Sequence, residues 1–317
     1  MSHDQAGPSE EEVTKAIGHF EEYSNWGRWG ADDTIGALNL ITPEKLISAA
    51  GLVREGKTVS LARSVTFAPV PDQGEALIPP IHFMQLAGEL ADPEGSGSAV
   101  DWAGLPLHGL FVTHLDAHSH IFWKAKMYNG QPASKVMTDR GATAGGIDNV
   151  RNGIVTRGVI LDIPRVRGGK VLEGSEFVTR ADLEAAEEAQ GLRVESGDVV
   201  LVRTGYGQTR KSRRRGETNA EQPGIGLDCL PWIHDRSPAV LGTDTATDST
   251  AAHSERLRAP VHSVCMVAMG MWIIDGCDLE LAAEECERLG RWEFLFSAAP
   301  LRLKNATGCP LNPVAIF

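Results

Sequence analysis

Thr113-His114-Leu115-Asp116-Ala117-His118-Ser119-His120 sets three imidazoles and one carboxylate at every second position. An extended chain alternates its side chains, so His114, Asp116, His118 and His120 are predicted to share one face of a strand. Burying such groups unpaired costs roughly several kcal/mol each. The run lies between Gly109-Leu110-Phe111-Val112 and Ile121-Phe122-Trp123, an apolar setting that suits a solvated edge strand poorly. The chemistry that rewards the pattern is divalent-metal binding with an imidazole left over for proton transfer.

The run resembles the signature His-x-Gly-Thr-His-x-Asp-x-Pro-x-His of the cyclase family of metal-dependent hydrolases, which includes bacterial kynurenine formamidases and isatin hydrolases. Thr113, His114, Asp116 and His120 fall on signature positions. Leu110 stands where the first metal-binding His of the family would be, and His118 replaces the usual Pro. The resemblance extends from about Trp26 to the Pro310–Pro313 tail, on the pattern of the longer branch of the family. It implies a swivelling β/β/α fold and assembly into a homodimer or homotetramer. It also implies a His and a later Glu that close the site from the C-terminal half. His262 and Asp275 fall there, with Asp275 in place of the Glu.

On this resemblance His114, Asp116, His262 and Asp275 are expected to hold Zn²⁺ or Mn²⁺, with Asp116 able to bridge two ions. His120 is expected to serve as general base and then as acid. His118 is expected to touch substrate or support the ligands. Phe122 and Trp123 are candidates to wall an aromatic substrate pocket, with core packing as the alternative. The implied activity is hydrolysis of an amide-type bond in a small molecule, either a cyclic amide or an N-acyl aromatic amine. The alternatives are a cyclase or dehydratase of aromatic secondary metabolism, or a degenerate member that only binds a small molecule, as Leu110 would suit.

The 317 residues carry 30 basic and 42 acidic side chains, a net charge of −12. That excess argues against nucleic acid or an anionic membrane as a partner. The basic cluster Arg210-Lys211-Ser212-Arg213-Arg214-Arg215 lacks aromatics and reads as a solvated loop. Cys229, Cys265, Cys277, Cys286 and Cys309 form no CxxC pair, which fits free thiols in a cytoplasmic protein. Met1–Val13 has no apolar signal-like core, and Val264–Ile274 is too short to span a bilayer. No GxGxxG turn, Walker A loop or GxSxG elbow occurs, which sets aside nucleotide and serine-hydrolase chemistry.

The pattern predicts an α/β fold with mixed sheets: an N-terminal arm and helix over 1–56, then a single catalytic domain over 57–317. The first twelve residues are expected to be mobile. Thr42-Pro43 opens a helix ending near Gly56, and Thr179 with Asp182 opens another that ends at Gln190-Gly191. Asp278–Leu289 reads as an amphipathic helix. Strands are expected over Val59–Phe67, Gly158–Ile163, Asp198–Gly205, Val240–Asp244 and Arg291–Ser297, with a long loop over 87–104. Asp244 is a further candidate site-edge carboxylate. His108 shares the parity of His114 and approaches the site if the strand starts early. His253 is expected to be exposed.

Overall fold

Nine strands form one curled mixed sheet, a half-barrel in a mixed α/β fold. They are β1 (Thr58–Ser60), β2 (His114–Asp116), β3 (Ile154–Asp162), β4 (Val199–Arg203), β5 (Val240–Thr243), β6 (Trp272–Asp275), β7 (Glu293–Ala298), β8 (Gly308–Pro310) and β9 (Val314–Ile316). Their order is β1-β9-β7-β3-β4-β5-β6-β2-β8. The computed structural model describes residues 7–65, 67, 80–110, 112–208 and 221–317. The cluster Arg210–Arg215, most of the Pro-rich stretch after Phe67, and Phe111 lie outside these.

The central strands β3, β4, β5 and β6 are parallel, and the flanking pairs are antiparallel. Parallel strands are covered on both faces, which is why they read as unbroken apolar runs. Val200, Val202, Leu241 and Ile273 pack into one core cluster, and Val199, Leu201, Val240 and Ile274 into a second across the sheet. The first cluster takes side chains from α1 (Glu10–Glu22), α3 (Arg180–Gln190) and α4 (Leu230–Arg236). The second takes Ala282, Ala283 and Cys286 of α5 (Glu280–Leu289).

Capping sets several boundaries. Thr42 accepts from the Lys45 amide at the start of α2 (Pro43–Ala50). Thr179 and Asp182 form a reciprocal capping box on α3, and left-handed Gly191 ends it.

The structure departs from the sequence reading in four places. Of the first twelve residues, expected to be mobile, residues 1–6 lie outside the described ones and Glu10–Glu12 open α1, where Ser9 and Glu12 make a capping box. Helix α2 stops at Ala50, well before Gly56. The strand expected over Val59–Phe67 is limited to Thr58–Ser60 by the three-residue length of its pairing with β9. The supposed loop over 87–104 contains the strand Val100–Gly104, which pairs with Ile81–Leu86 in a ribbon apart from the main sheet. Among the described residues no helix is long and apolar enough to cross a membrane. All five cysteines are buried and free.

Candidate metal centre

Strand β2 is short and held on both sides. It pairs antiparallel with β6, so Asp275 lies opposite His114, and with β8, so Gly308 lies opposite Asp116. Alternation puts His114, Asp116 and Asp275 on one face, while Leu115 and Ile274 enter the second core cluster. His262 arrives from the short helical turn Pro260–His262. Asp248 anchors that turn by accepting from the Val261 amide at 2.7 Å and the His262 amide at 3.1 Å.

Four side chains converge. His114 Nε2 lies 3.4 Å from Asp116 Oδ1, and His262 Nε2 lies 3.4 Å from Asp116 Oδ2 and 3.3 Å from Asp275 Oδ2. Each has its other polar atom held. His114 Nδ1 donates to the Val112 carbonyl at 3.1 Å, and His262 Nδ1 donates to Asp248 Oδ2 at 2.6 Å. Thr247 Oγ1 donates to Asp275 Oδ1 at 2.7 Å. These contacts leave Nε2 of both imidazoles as the atoms facing the carboxylates.

The electrostatics follow from crowding. Burial would raise the Asp116 pKa, but the neighbouring imidazoles, His120 and His114 foremost, hold it well below the usual carboxylate range. Burial would depress His262, yet Asp275, Asp116 and Asp248 hold it well above the ordinary imidazole value. Burial pushes His120 down to about 4, with Asp116 opposing the shift and the surrounding imidazoles adding to it.

The donor set fits a divalent ion. Asp116 Oδ2 is buried and has no hydrogen-bond partner, an arrangement that is costly unless something cationic meets it. Ligand bonds of about 2.0–2.1 Å in tetrahedral geometry put ligand atoms about 3.3 Å apart. The three contacts of 3.3–3.4 Å match that spacing. Two overlapping groups share Asp116 and satisfy ligand proximity: His114–Asp116–Asp275 and His108–Asp116–His120.

A cavity of about 260 Å³ opens onto this cluster, lined among others by His108, Leu110, His120, Ile121, His253 and Thr250. His118, Phe122 and Trp123 are not among its walls, and Trp123 takes the core-packing alternative. The strand ends at Asp116, and the His120 amide donates back to the Ala117 carbonyl at 2.8 Å. This turn breaks the alternation. His118 packs on Trp272 and Tyr128 and donates from Nε2 to the Gly270 carbonyl at 3.0 Å, with burial lowering its pKa to about 4. Trp123 stacks on Phe20 of α1 at 4.6 Å, and Phe122 is exposed.

Asp244 is likewise elsewhere. Its carboxylate accepts from Thr204 N, Thr204 Oγ1 and Gly205 N, closing the loop after β4. Two further residues join the cluster. His108 enters the cluster, which its parity with His114 hinted at. Asp248 carries no spacing signal, and only the fold brings it to His262.

The fold and the site together describe an α/β protein with a buried His/carboxylate cluster suited to a divalent metal. A family profile described as "Putative cyclase" matches residues 79–248, more than half of the chain. A solved structure described as a novel cyclase is 36% identical, with 94% of this chain and 99% of that chain covered and a TM-score of 0.85. The chain belongs to the cyclase family.

It shares its fold with isatin hydrolase A from Labrenzia aggregata, at 22% identity and a TM-score of 0.57 over 86% of this chain and 97% of that one. A predicted metal-dependent hydrolase from Bacillus stearothermophilus is also similar, at 16% identity and a TM-score of 0.51 over 82% and 97%. No curated protein sequence matches the chain.

Proposed function

We propose that the protein is a metal-dependent hydrolase of an amide-type bond, acting on a cyclic amide or an N-acyl aromatic amine. The observation that carries the reading is the buried Asp116 Oδ2, without a hydrogen-bond partner, inside a set of imidazole and carboxylate atoms spaced as ligands. His114, Asp116, His262 and Asp275 would hold Zn²⁺ or Mn²⁺. A divalent ion there supplies a more acidic water and a polarised substrate carbonyl.

The remaining chemistry belongs to the chain. His120 borders the cavity and, with its pKa pushed to about 4, is neutral near pH 7 and free to accept a proton from the attacking water. The same imidazole would return that proton to the leaving amine. Asp248 holds His262 by Nδ1, and Thr247 holds Asp275, so neither side chain has to reorganise during turnover. Leu110 gives one wall of the cavity an apolar surface suited to an aromatic ring. The isatin hydrolases of the same fold make lactams a reasonable first substrate class.

The same reading has a cytoplasmic protein acting as a homodimer or homotetramer. The ribbon Ile81–Leu86/Val100–Gly104 leaves Ile81, Phe83, Met84, Leu86, Val100 and Trp102 exposed. A lone two-stranded hairpin is marginal in water, so a second copy of the chain is the partner we assign to it.

The test is metal analysis of the purified protein together with turnover of isatin and of N-formyl aromatic amines, for wild type and Asp116→Ala. The reading expects a divalent ion and amide cleavage, both abolished in the variant. Metal without amide cleavage would favour the cyclase or dehydratase alternative. Absence of both would favour a small-molecule-binding member.

A further inference from the structure

His108 touches the proposed ligand Asp116, yet the mechanism gives it no task. Its Nδ1 donates to Asp116 Oδ1 at 2.7 Å, and its Nε2 accepts from Thr307 Oγ1 at 2.9 Å, so both ring nitrogens are engaged. Distance separates it from the four ligands. Their contacts of 3.3–3.4 Å match the ligand spacing around an ion, whereas 2.7 Å is the length of a charge-assisted hydrogen bond. The ring also lies flat on His120, with centroids 3.8 Å apart and planes 11° from parallel.

The fold makes room for this imidazole. Gly308 lies opposite Asp116 on β8, and a Cβ there would come within 2.6 Å of His108 Cε1 and 3.1 Å of its Nε2. Any larger residue at 308 would have to displace the ring. A Cβ would also meet the Leu115 carbonyl of β2 at 3.0 Å, so close approach of both the ring and the strand favours glycine here.

We propose that His108 is a positioning residue that pins Asp116 by Oδ1, so that the carboxylate is held in one orientation toward His114 and His262 before an ion arrives, and that fixes the plane of His120 by stacking. A buried carboxylate free to turn about its last torsion could offer either oxygen to either neighbour. Securing one oxygen removes that freedom before the ion arrives. In this chain an imidazole at 108 therefore acts on the carboxylate, while position 110 contributes an apolar wall. The inference rests on the reading of Asp116 as a metal ligand.

Zn²⁺ and Mn²⁺ affinities would be measured by chelator competition on wild type, His108→Ala, His108→Asn and Gly308→Ala, with melting curves to confirm folding. Loss of a hydrogen bond that orients a ligand typically lowers metal affinity about 10- to 100-fold. His108→Ala is expected in that range. His108→Asn, which can still donate to Oδ1, should recover most of the loss. Gly308→Ala should weaken binding in the same direction without touching a ligand.

Because His108 also lines the cavity, metal affinity by chelator competition is the deciding readout, and the fall in kcat of His108→Ala should be reversed by His108→Asn along with the affinity. Equal affinity in wild type and His108→Ala would overturn the inference while leaving the metal reading intact. So would failure of Asn to rescue, or a loss far beyond 100-fold, which would make His108 a ligand. If wild type itself binds neither ion, the metal reading falls and this inference falls with it.

Discussion

Asp248 offers a test of how the site is held together, because it contacts His262 without being a proposed ligand. Its Oδ2 accepts two bonds, from His262 N at 3.1 Å and from His262 Nδ1 at 2.6 Å, and its Oδ1 accepts one, from Val261 N at 2.7 Å. Asp248→Asn keeps the shape but replaces one acceptor with an NH₂ group. The amide oxygen should take the Oδ2 position, where two donors wait, leaving its NH₂ against the Val261 N–H. That buried donor then goes unpaired, at a cost of about 1–3 kcal/mol in stability.

The bond to the imidazole also loses its charge. His262 then orients less firmly, and metal affinity should fall about 10- to 100-fold, or about 1.4–2.8 kcal/mol. Asp248→Ala loses all three acceptor contacts and should exceed both ranges. Denaturant melts of metal-free protein would give the first quantity and chelator competition the second. The reasoning fails if Asp248→Asn is destabilised by the expected amount yet binds metal as tightly as wild type. Asp248 would then only cap the start of the turn.

Replacing His120 by Ala should lower turnover about 10²- to 10⁴-fold while metal stays bound; stoichiometric loss of metal from the folded variant would instead make His120 a ligand. Arg203 is buried between Asp162 at 2.6 Å and Glu280 at 2.7 Å, so Arg203→Met strands two carboxylates and should cost about 3–5 kcal/mol in denaturant melts. A cost below about 1 kcal/mol would mean that nearby groups such as Gln208, which already donates to Glu280, suffice. The double variant Phe83→Lys with Trp102→Lys should shift the mass in sedimentation toward a single chain. An unchanged assembly would place any interface elsewhere.

The sequence was most readable where a local rule has no competitor. Thr179, Asp182 and Gly191 mark both ends of a helix by hydrogen bonds within a few residues, and those ends are where the structure has them. The apolar runs around residues 160, 200 and 241, short and bounded by turn residues, read as buried strands, and they are. The histidine run obeyed its local rule for three residues. Alternation holds only while a strand has partners, and β6 and β8 pair with nothing beyond Asp116. From Ala117 the chain turns, so His118 goes to Trp272 and Tyr128 while His120 stays at the cavity.

The same limit explains Asp244 and Asp248. Both are aspartates in one polar stretch after β5, and nothing in their neighbours tells them apart. One faces back to the amides of Thr204 and Gly205; the other faces the amides that open the turn carrying His262. Each carboxylate serves the free backbone donors beside it, those of the loop after β4 for Asp244 and those of the turn Pro260–His262 for Asp248. The proposed ligand residues could therefore be picked out by a strand pattern and a family resemblance. The groups proposed to orient them, His108 and Asp248, are brought there by a backbone that only the folded chain supplies.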